Sequence, residues 1–478
     1  MQHDASIGQT VTPLQAFWNA ANRDVFDASA VRTLCQRAME GDQESVEALF
    51  GEIVEPLSDA FTERAARLYV RTFAEAIDVA RAAPDGARLD RELTAFGLAD
   101  TESLVARGTR LLAACAPPPI GQANLFVVLS RVTLGADVAL VTPMLNALLE
   151  RDPAARAIFL APEASRGIVA GHPRVAFRAV SYARRGSLVD RLNAWLPILE
   201  LVRAETGGED TGRYLVIDPD SRLTQLGLFP LASDARTRVF ASRTDHAPDL
   251  PRLGQLAARW AHALTGVPHP PRARLWLSED ALAWAERLRV LLAPPGRSLA
   301  SVHFGVGGNE RKRLGERFEL ALLRGLARRG MTVLLARGVT EAEIQQTARL
   351  TAALRQDGLA VLDLPAGRDL GPLALAESPP TVVTWQADSG AFCASVAASD
   401  LYVGYDSAGQ HVAAAANVPA VALFVVSAGP RHLERWSPHG PRARVHAVLP
   451  GADQEPAAAD VLRLADALRA EGSPNRVS

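Results

Sequence analysis

The sequence predicts three units: an all-α N-terminal domain and, after it, two doubly wound α/β domains of Rossmann-like type. Three observations support this. From Thr12 to about Cys115 the apolar residues keep the helical period, with few candidate strands. After Pro117-Pro118-Pro119, a stiff break, short β-rich runs alternate with helical stretches. A second proline-rich stretch, Val267-Pro268-His269-Pro270-Pro271, separates that series from another of the same kind. The expected domains are residues 1–116, 122–266 and 272–455, with a C-terminal helix and tail over 456–478.

In the first unit Thr12-Pro13 reads as an N-cap followed by proline in the first turn. Val46, Leu49, Phe50, Ile53 and Val54 fall at i, i+3, i+4, i+7 and i+8, one face of a helix. Leu68, Tyr69, Phe73, Ala76, Ile77 and Ala80 make a second stripe, which Pro84-Asp85-Gly86 should end. No metal-ligand cluster or nucleophile-base pair stands out here, so the aromatic residues read as core.

In the second unit the β-rich runs are Asn124 to Leu129, Ala157 to Leu160, Tyr214 to Ile217 and Val239 to Ala241. In the third they are Ala300 to Phe304, Thr332 to Leu335, Ala360 to Leu364, Thr381 to Thr384, Leu401 to Val403 and Ala420 to Val425. Strands alternating with helices predict parallel sheets covered on both faces. Ligands of such sheets bind beyond the C-terminal ends of the strands, so an active site is expected in the cleft between two facing sheets. A helical stretch from about Ala457 to Ala470 closes the pattern.

A chain of 478 residues is too long for one ordinary core, and domain size suggests about three. With 48% hydrophobic and 22% charged residues it reads as soluble and globular rather than disordered. A net charge of −2 gives no general attraction to nucleic acid or to an anionic membrane. Cys35, Cys115 and Cys393 are far apart, with no CxxC spacing, and indicate neither a disulfide framework nor a zinc site. The opening Met1-Gln2-His3-Asp4 has no basic and apolar leader, and no apolar stretch is of spanning length. The expected location is the cytoplasm.

Lys312 is the only lysine among 51 basic residues. An ammonium is a compact point charge that fits beside a phosphate where a planar guanidinium does not. It follows an apolar run and a loop containing Gly305, Gly307 and Gly308, which lets a ligand come close to the backbone while Lys312 neutralises its charge. Neither GK[ST] nor GxGxxG is present. The alternative is a solvated survivor of a bias towards arginine.

Two further segments carry polar groups at strand ends. Leu134-Gly135-Ala136-Asp137-Val138 follows the first strand of the second unit. Asp137 could take a proton from an attacking hydroxyl, or simply cap the next helix. Val403-Gly404-Tyr405-Asp406-Ser407-Ala408-Gly409-Gln410-His411 ends a strand in a polar turn that opens an alanine-rich helix. Its N–H groups and dipole suit a diphosphate. Alternatively Asp406 or Ser407 caps that helix and His411 packs on the sheet.

Taken together, these segments resemble the ADP-heptose:lipopolysaccharide heptosyltransferases, glycosyltransferase family 9. The first is similar to that family's LGDVxxTTPxL motif, the second, Lys312-Arg313-Leu314-Gly315-Glu316-Arg317-Phe318, to KRWxxERF, and the third to DSGxxHxAAA. The resemblance runs from about Asn124 to about Leu449 and leaves the helical unit outside it. It implies a GT-B fold, a nucleoside diphosphate sugar as donor, inversion at the anomeric carbon, and no cofactor or essential metal. By the same resemblance Asp137 is the general base and Lys312 stabilises the departing diphosphate. Gly307, Gly308, Lys312, Asp406, Ser407, Ala408, Gly409 and His411 are the expected donor-binding residues. The chain departs from the family at Ala136, Leu314 and Ala408. An alanine methyl in place of glycine narrows a site or shifts a loop, which bears on donor identity.

The leading expectation is therefore an inverting, metal-independent glycosyltransferase moving a heptose or related sugar, with ADP-heptose as first choice of donor. Its acceptor is a glycolipid or a protein. Peripheral membrane contact and self-association through the helical unit stay open; nucleic acid is not an expected partner. A second reading takes Asp218-Pro219-Asp220 as the DxD metal site of a different glycosyltransferase fold, which paired parallel sheets disfavour. A third is a non-catalytic scaffold or regulatory binder on a decayed GT-B frame.

Overall fold

The computed structural model describes residues 11–113, 116–182, 186–207, 213–244, 249–376, 378–426 and 430–471. The opening residues, Cys115 and the tail after 471 lie outside these. Twelve strands are found among the described residues: β1 Leu125–Leu129, β2 Arg156–Ala161, β3 Val175–Ala179, β4 Tyr214–Asp218, β5 Thr237–Val239, β6 Ser298–His303, β7 Met331–Ala336, β8 Val361–Ala366, β9 Val382–Gln386, β10 Leu401–Tyr405, β11 Ala420–Val425 and β12 Ala443–Val448. They form two parallel sheets, of five and of seven strands, in the arrangement of two Rossmann-like domains preceded by helices. The expected β-rich runs all become strands. β5 starts and ends two residues before its expected run, and β3 and β12 are additional.

The chain divides into two compact units that are not contiguous in sequence: residues up to 117 with 181–245, and 118–180 with 246–478. In the first unit Thr12 caps helix Pro13–Ala21 in a capping box with Gln15. The stripe from Val46 to Val54 is helical, wound as a π-helix from Ala48 to its end at Val54. Helix Glu63–Arg81 buries Tyr69, Phe73, Ala76, Ile77 and Ala80 and is followed by a 3₁₀ turn at Pro84–Gly86. β4 and β5 pair in parallel within this unit, and the loops after them pack on the helices. There Tyr69 Oη donates to Gln225 Oε1 (3.1 Å), and Arg243 donates to the Ser58 carbonyl (3.0 Å) while paired with Asp220.

In the second unit β1, β2 and β3 run parallel in register Leu125↔Arg156 and Ala157↔Val175. The seven-stranded sheet has the order β12-β11-β10-β6-β7-β9-β8. Its core, around Val302, Phe318, Leu335, Val403 and Leu423, includes the C-terminal helix Gln454–Ala470. That helix lies so close to helix Glu316–Arg328 that a Cβ on Gly325 would stand 2.2 Å from Leu462 Cδ1. Arg324 and Arg329, in the basic run beside it, pair with Asp357 and Asp466 on a partly exposed face. Cys35 and Cys393 are buried free thiols, and burial pushes each up to about 12. Among the described residues no helix is long and apolar enough to cross a membrane.

Candidate functional site

In the seven-stranded sheet the strand order reverses between β6 and β10: β7, β9 and β8 lie beyond one, β11 and β12 beyond the other. Such a switch point opens a crevice at the C-terminal ends of its two strands, because the connections that follow leave in opposite directions. His303 of β6 is the register partner of Gly404 of β10, so the two chains leave the sheet side by side. One continues into the glycine loop and Lys312, the other into Asp406 and Ser407.

Lys312 ends a short turn, Glu310–Lys312, that Asn309 caps by accepting from the Arg311 N–H (3.2 Å). The next residue is the anchor. Arg313 makes a bidentate pair with fully buried Glu319 (2.7 Å to each oxygen), to which Tyr405 Oη also donates (3.2 Å). The Leu314 N–H donates to the same hydroxyl (3.1 Å). With Arg313 buried, Lys312 is left partly exposed, and its Nζ stands 2.7 Å from Asp406 Oδ2. Gln410 Nε2 donates to the other oxygen of Asp406 (2.8 Å), and His432 Nε2 lies 3.5 Å from Oδ2. Burial by itself would raise the Asp406 carboxyl, but His432 and Lys312 outweigh it and hold the group at about 2. The carboxylate is a fixed negative charge that aims the ammonium.

Gly307 and Gly308 have φ of +63° and +86°, with nothing near where a Cβ would be, so backbone conformation rather than crowding requires glycine there. Crowding acts two residues earlier, where a Cβ on Gly305 would stand 2.6 Å from His303 Nε2.

Ser407 opens helix Ala408–Ala415 and places no side-chain hydrogen bond on it, so that among the described residues no side chain caps the first-turn N–H groups. Ser407 Oγ is instead 3.4 Å from His303 Nδ1. Asp406 does not cap the helix either, since its oxygens serve Lys312 and Gln410. Gly409 is glycine because the Tyr402 hydroxyl lies 2.1 Å from where a Cβ would sit. Gln410 is fully buried; its Nε2 is 3.4 Å from His411 Nε2, and its Oε1 has no hydrogen-bond partner among the described residues. His411 is buried beside Trp436, ring centroids 6.2 Å apart, and burial lowers it to about 4 although Asp406 pulls the other way. It is a neutral imidazole at ordinary pH.

Asp137 is wholly buried in the first turns after β1, at the start of a π-helical turn Asp137–Val141. Oδ2 accepts from Ser130 Oγ (2.7 Å) and Ser165 Oγ (2.6 Å), and Oδ1 from the Arg131 N–H (2.6 Å). Burial pushes this carboxyl up to about 6 against the lowering effect of those donors. The loop before it is tight: Val132 sits at φ +78°, rare for a β-branched residue, with its N–H held by Ser130 Oγ at 2.7 Å. The loop touches the helix after β10, since a Cβ on Gly135 would lie 2.9 Å from Ala408 Cα and 3.3 Å from His411 Cδ2.

The structure thus brings Lys312, Asp406, Ser407, Ala408, Gly409 and His411 together, sets Gly307 and Gly308 on the loop that leads to Lys312, and places Asp137 on a segment that meets Ala408. The three departures fit the backbone. Ala136 is helical at φ −68°, Ala408 is not among the left-handed residues, and Leu314 packs against the sheet core. Sequence reasoning assigned no role to Gln410, His432, His303, Ser130 and Ser165. Gln410 lies inside a segment it singled out; His432 is 26 positions from Asp406 with no pattern to link them.

The DxD residues are spent on structure. Asp218 accepts from the Ser221 N–H (2.6 Å) and from Thr224 Oγ1, and Asp220, at φ +66°, is paired with Arg243 and accepts from Ser242 Oγ (2.6 Å). Both carboxylates are buried and turned towards these partners.

No protein-family model matches the chain, and no curated protein matches it in sequence. Solved structures do. That of E. coli ADP-heptose lps heptosyltransferase II matches with TM-score 0.50 and 18% identity, over 73% of this chain and 99% of that one. A family 9 glycosyl transferase from Veillonella parvula DSM 2008 matches with TM-score 0.52 and 17% identity, over 73% and 98%. At such identity the likeness is one of fold, and it is the fold the three motifs imply.

Proposed function

We propose that this chain, which shares the fold of those two enzymes, is an inverting glycosyltransferase. It moves a heptose or related sugar from a nucleoside diphosphate, ADP-heptose first, to a hydroxyl of a glycolipid or protein. One observation carries the reading: at the switch point of the second sheet, an ammonium aimed by a buried carboxylate stands beside a helix N-terminus that its own N-cap residue, Ser407, leaves uncapped. That pairing suits a leaving diphosphate. As the bond from the anomeric carbon to the phosphate oxygen breaks, its electron pair stays on the diphosphate, where Lys312 and the N–H groups after Ser407 meet the charge. They make a metal unnecessary for that step. Asp137 takes the proton of the acceptor hydroxyl whose oxygen forms the new bond.

Asp137 is enclosed in this conformation, so an acceptor reaches it only when the Ser165 turn or the 130–133 loop gives way. The helical unit lies outside the motif resemblance and is the natural place for acceptor docking or self-association.

Binding and hydrolysis of a panel of sugar nucleotides test the reading. Lys312→Ala should weaken nucleoside diphosphate binding about tenfold or more. Asp137→Ala should spare binding and slow transfer by about 10² to 10⁴. If no nucleotide binds, or neither substitution changes anything, the glycosyltransferase reading fails; binding without turnover under every acceptor would leave a binding protein on this frame.

A further inference from the structure

Four backbone N–H groups converge on one carboxylate in the second unit. Glu343, in the first turn of helix Glu341–Gln356, accepts on Oε2 from Val339 (2.9 Å) and Thr340 (3.1 Å). On Oε1 it accepts from Val306 (2.9 Å) and Gly307 (3.2 Å). The Thr340 bond belongs to the capping box of that residue, whose hydroxyl receives the Glu343 N–H (3.3 Å), and would alone explain a glutamate there, with Val339 sharing the same oxygen. The second pair has no part in starting that helix. Val306 and Gly307 lie in the loop after β6, 37 and 36 positions away, and capping leaves Oε1 unneeded.

Both loops are shaped around this side chain. A Cβ on Gly305 would come 3.0 Å from Glu343 Oε1, and one on Gly338 would come 2.5 Å from Glu343 Cβ. Glu343 is 5% exposed, so its four hydrogen bonds are made out of water, where charge-assisted bonds are strong. Burial opposes the ionised form, but the N–H donors and His303 more than offset it and hold the carboxyl below its usual range. The loop it grips runs on through Gly308 and Asn309 into the Glu310–Lys312 turn.

We propose that Glu343 is a positioning residue for the nucleoside diphosphate site: by fixing Val306 and Gly307 it sets where the Lys312 ammonium stands. This rests on the role given to Lys312 above. It also means that the Gly307 N–H is committed to the protein's own carboxylate, so Lys312 and the helix after Ser407 carry the diphosphate charge.

The test uses the full chain with Glu343→Ala, Glu343→Gln, Lys312→Ala and the double variant Glu343→Ala/Lys312→Ala. Amide exchange reads the clamp directly, and ADP is the binding probe. Glu343→Ala should speed exchange at Val306 and Gly307 and weaken ADP about tenfold or more. Formate, a carboxylate small enough for the vacated ring of N–H groups, should restore ADP affinity to Glu343→Ala and do nothing for Lys312→Ala. In the double variant Glu343→Ala should add little to the loss from Lys312→Ala, since it acts through that residue. Unchanged exchange at Val306 and Gly307, a loss fully additive with that of Lys312→Ala, or no effect of formate would overturn the inference. If Glu343→Ala does not fold, Glu343→Gln, which keeps the bulk and one accepting oxygen, carries the exchange and double-variant readouts. If the unaltered protein binds no ADP, the role of Lys312 falls, while exchange at Val306 and Gly307 still decides whether the clamp exists.

Discussion

At the residue scale the two carboxylates of the site are tuned in opposite directions. Asp406 has Lys312 and His432 against it and stays ionised down to about pH 2, whereas Asp137 has burial as its largest influence and sits near 6. The folded Asp137 pKa therefore lies above that of an unfolded aspartate, about 3.9. Between those values the folded chain holds a proton the unfolded chain has lost, so stability falls as pH rises through that window. Asp137→Asn should then stabilise the protein at neutral pH by up to about 2 to 3 kcal/mol, with the gain vanishing near pH 4, as thermal unfolding at several pH values will show. The same value predicts the rate. On the roles proposed above for Asp137 and Lys312, kcat/KM for transfer should fall below about pH 6, while ADP affinity, resting on an ion pair intact to much lower pH, should stay flat there. A binding curve that falls with the rate would move the acid limb away from Asp137.

At the element scale, what places the site is close backbone approach. Gly167, in the 3₁₀ turn Glu163–Ile168 that carries Ser165, abuts helix Ser389–Ala397: a Cβ on it would lie 2.3 Å from the Gly390 nitrogen and 2.6 Å from its Cα. Backbone cannot step aside as a side-chain end can. Gly167→Ala should cost about 1 to 3 kcal/mol in denaturant unfolding, and lower transfer more than ADP binding, because the Ser165 turn moves with it. Full stability in that variant would mean the turn is loosely held. The elements legible in the sequence were those with a strong apolar signal, such as β6, β7, β10 and β11 in the centre of the second sheet. β3 and β12 were not. Each is an edge strand, half-buried, with Arg178 or with Arg444 and His446 in its run, so polar residues interrupt the pattern that marks a central strand. The π-helical turns at Ala48–Val54 and Asp137–Val141 left no mark in the sequence, because the extra residue per turn is settled by packing.

For the whole molecule, the first unit joins segments that the sequence keeps apart. Arg243 and Asp220, 3% and 1% exposed as side chains, form an ion pair that Ser58 of the helical segment completes, and Arg222 donates to Ser58 Oγ at 2.8 Å. Arg107 is likewise buried between the Gly227 carbonyl (2.9 Å) and Asp234. Removing the helices would strand buried charges and bare Leu228, which is fully buried and whose Cδ2 lies 3.0 Å from where a Cβ on Gly108 would be. A chain beginning at Pro118 should therefore aggregate or lose native circular dichroism; a soluble, cooperatively folding product would show the helices to be an appendage. By itself the sequence determined the alternation of strands and helices, the lone ammonium, the order of three motifs and the fold they share with the family 9 enzymes. These are local, carried by neighbouring residues and their period. Tertiary structure alone decided that Asp406 aims Lys312, that Asp137 is enclosed by Ser130 and Ser165, that Glu343 grips the glycine loop, and that Asp218 and Asp220 turn inward. Each of those rests on a contact whose partner's place depends on how strands are ordered in a sheet or on how loops pack, and short-range pattern records neither.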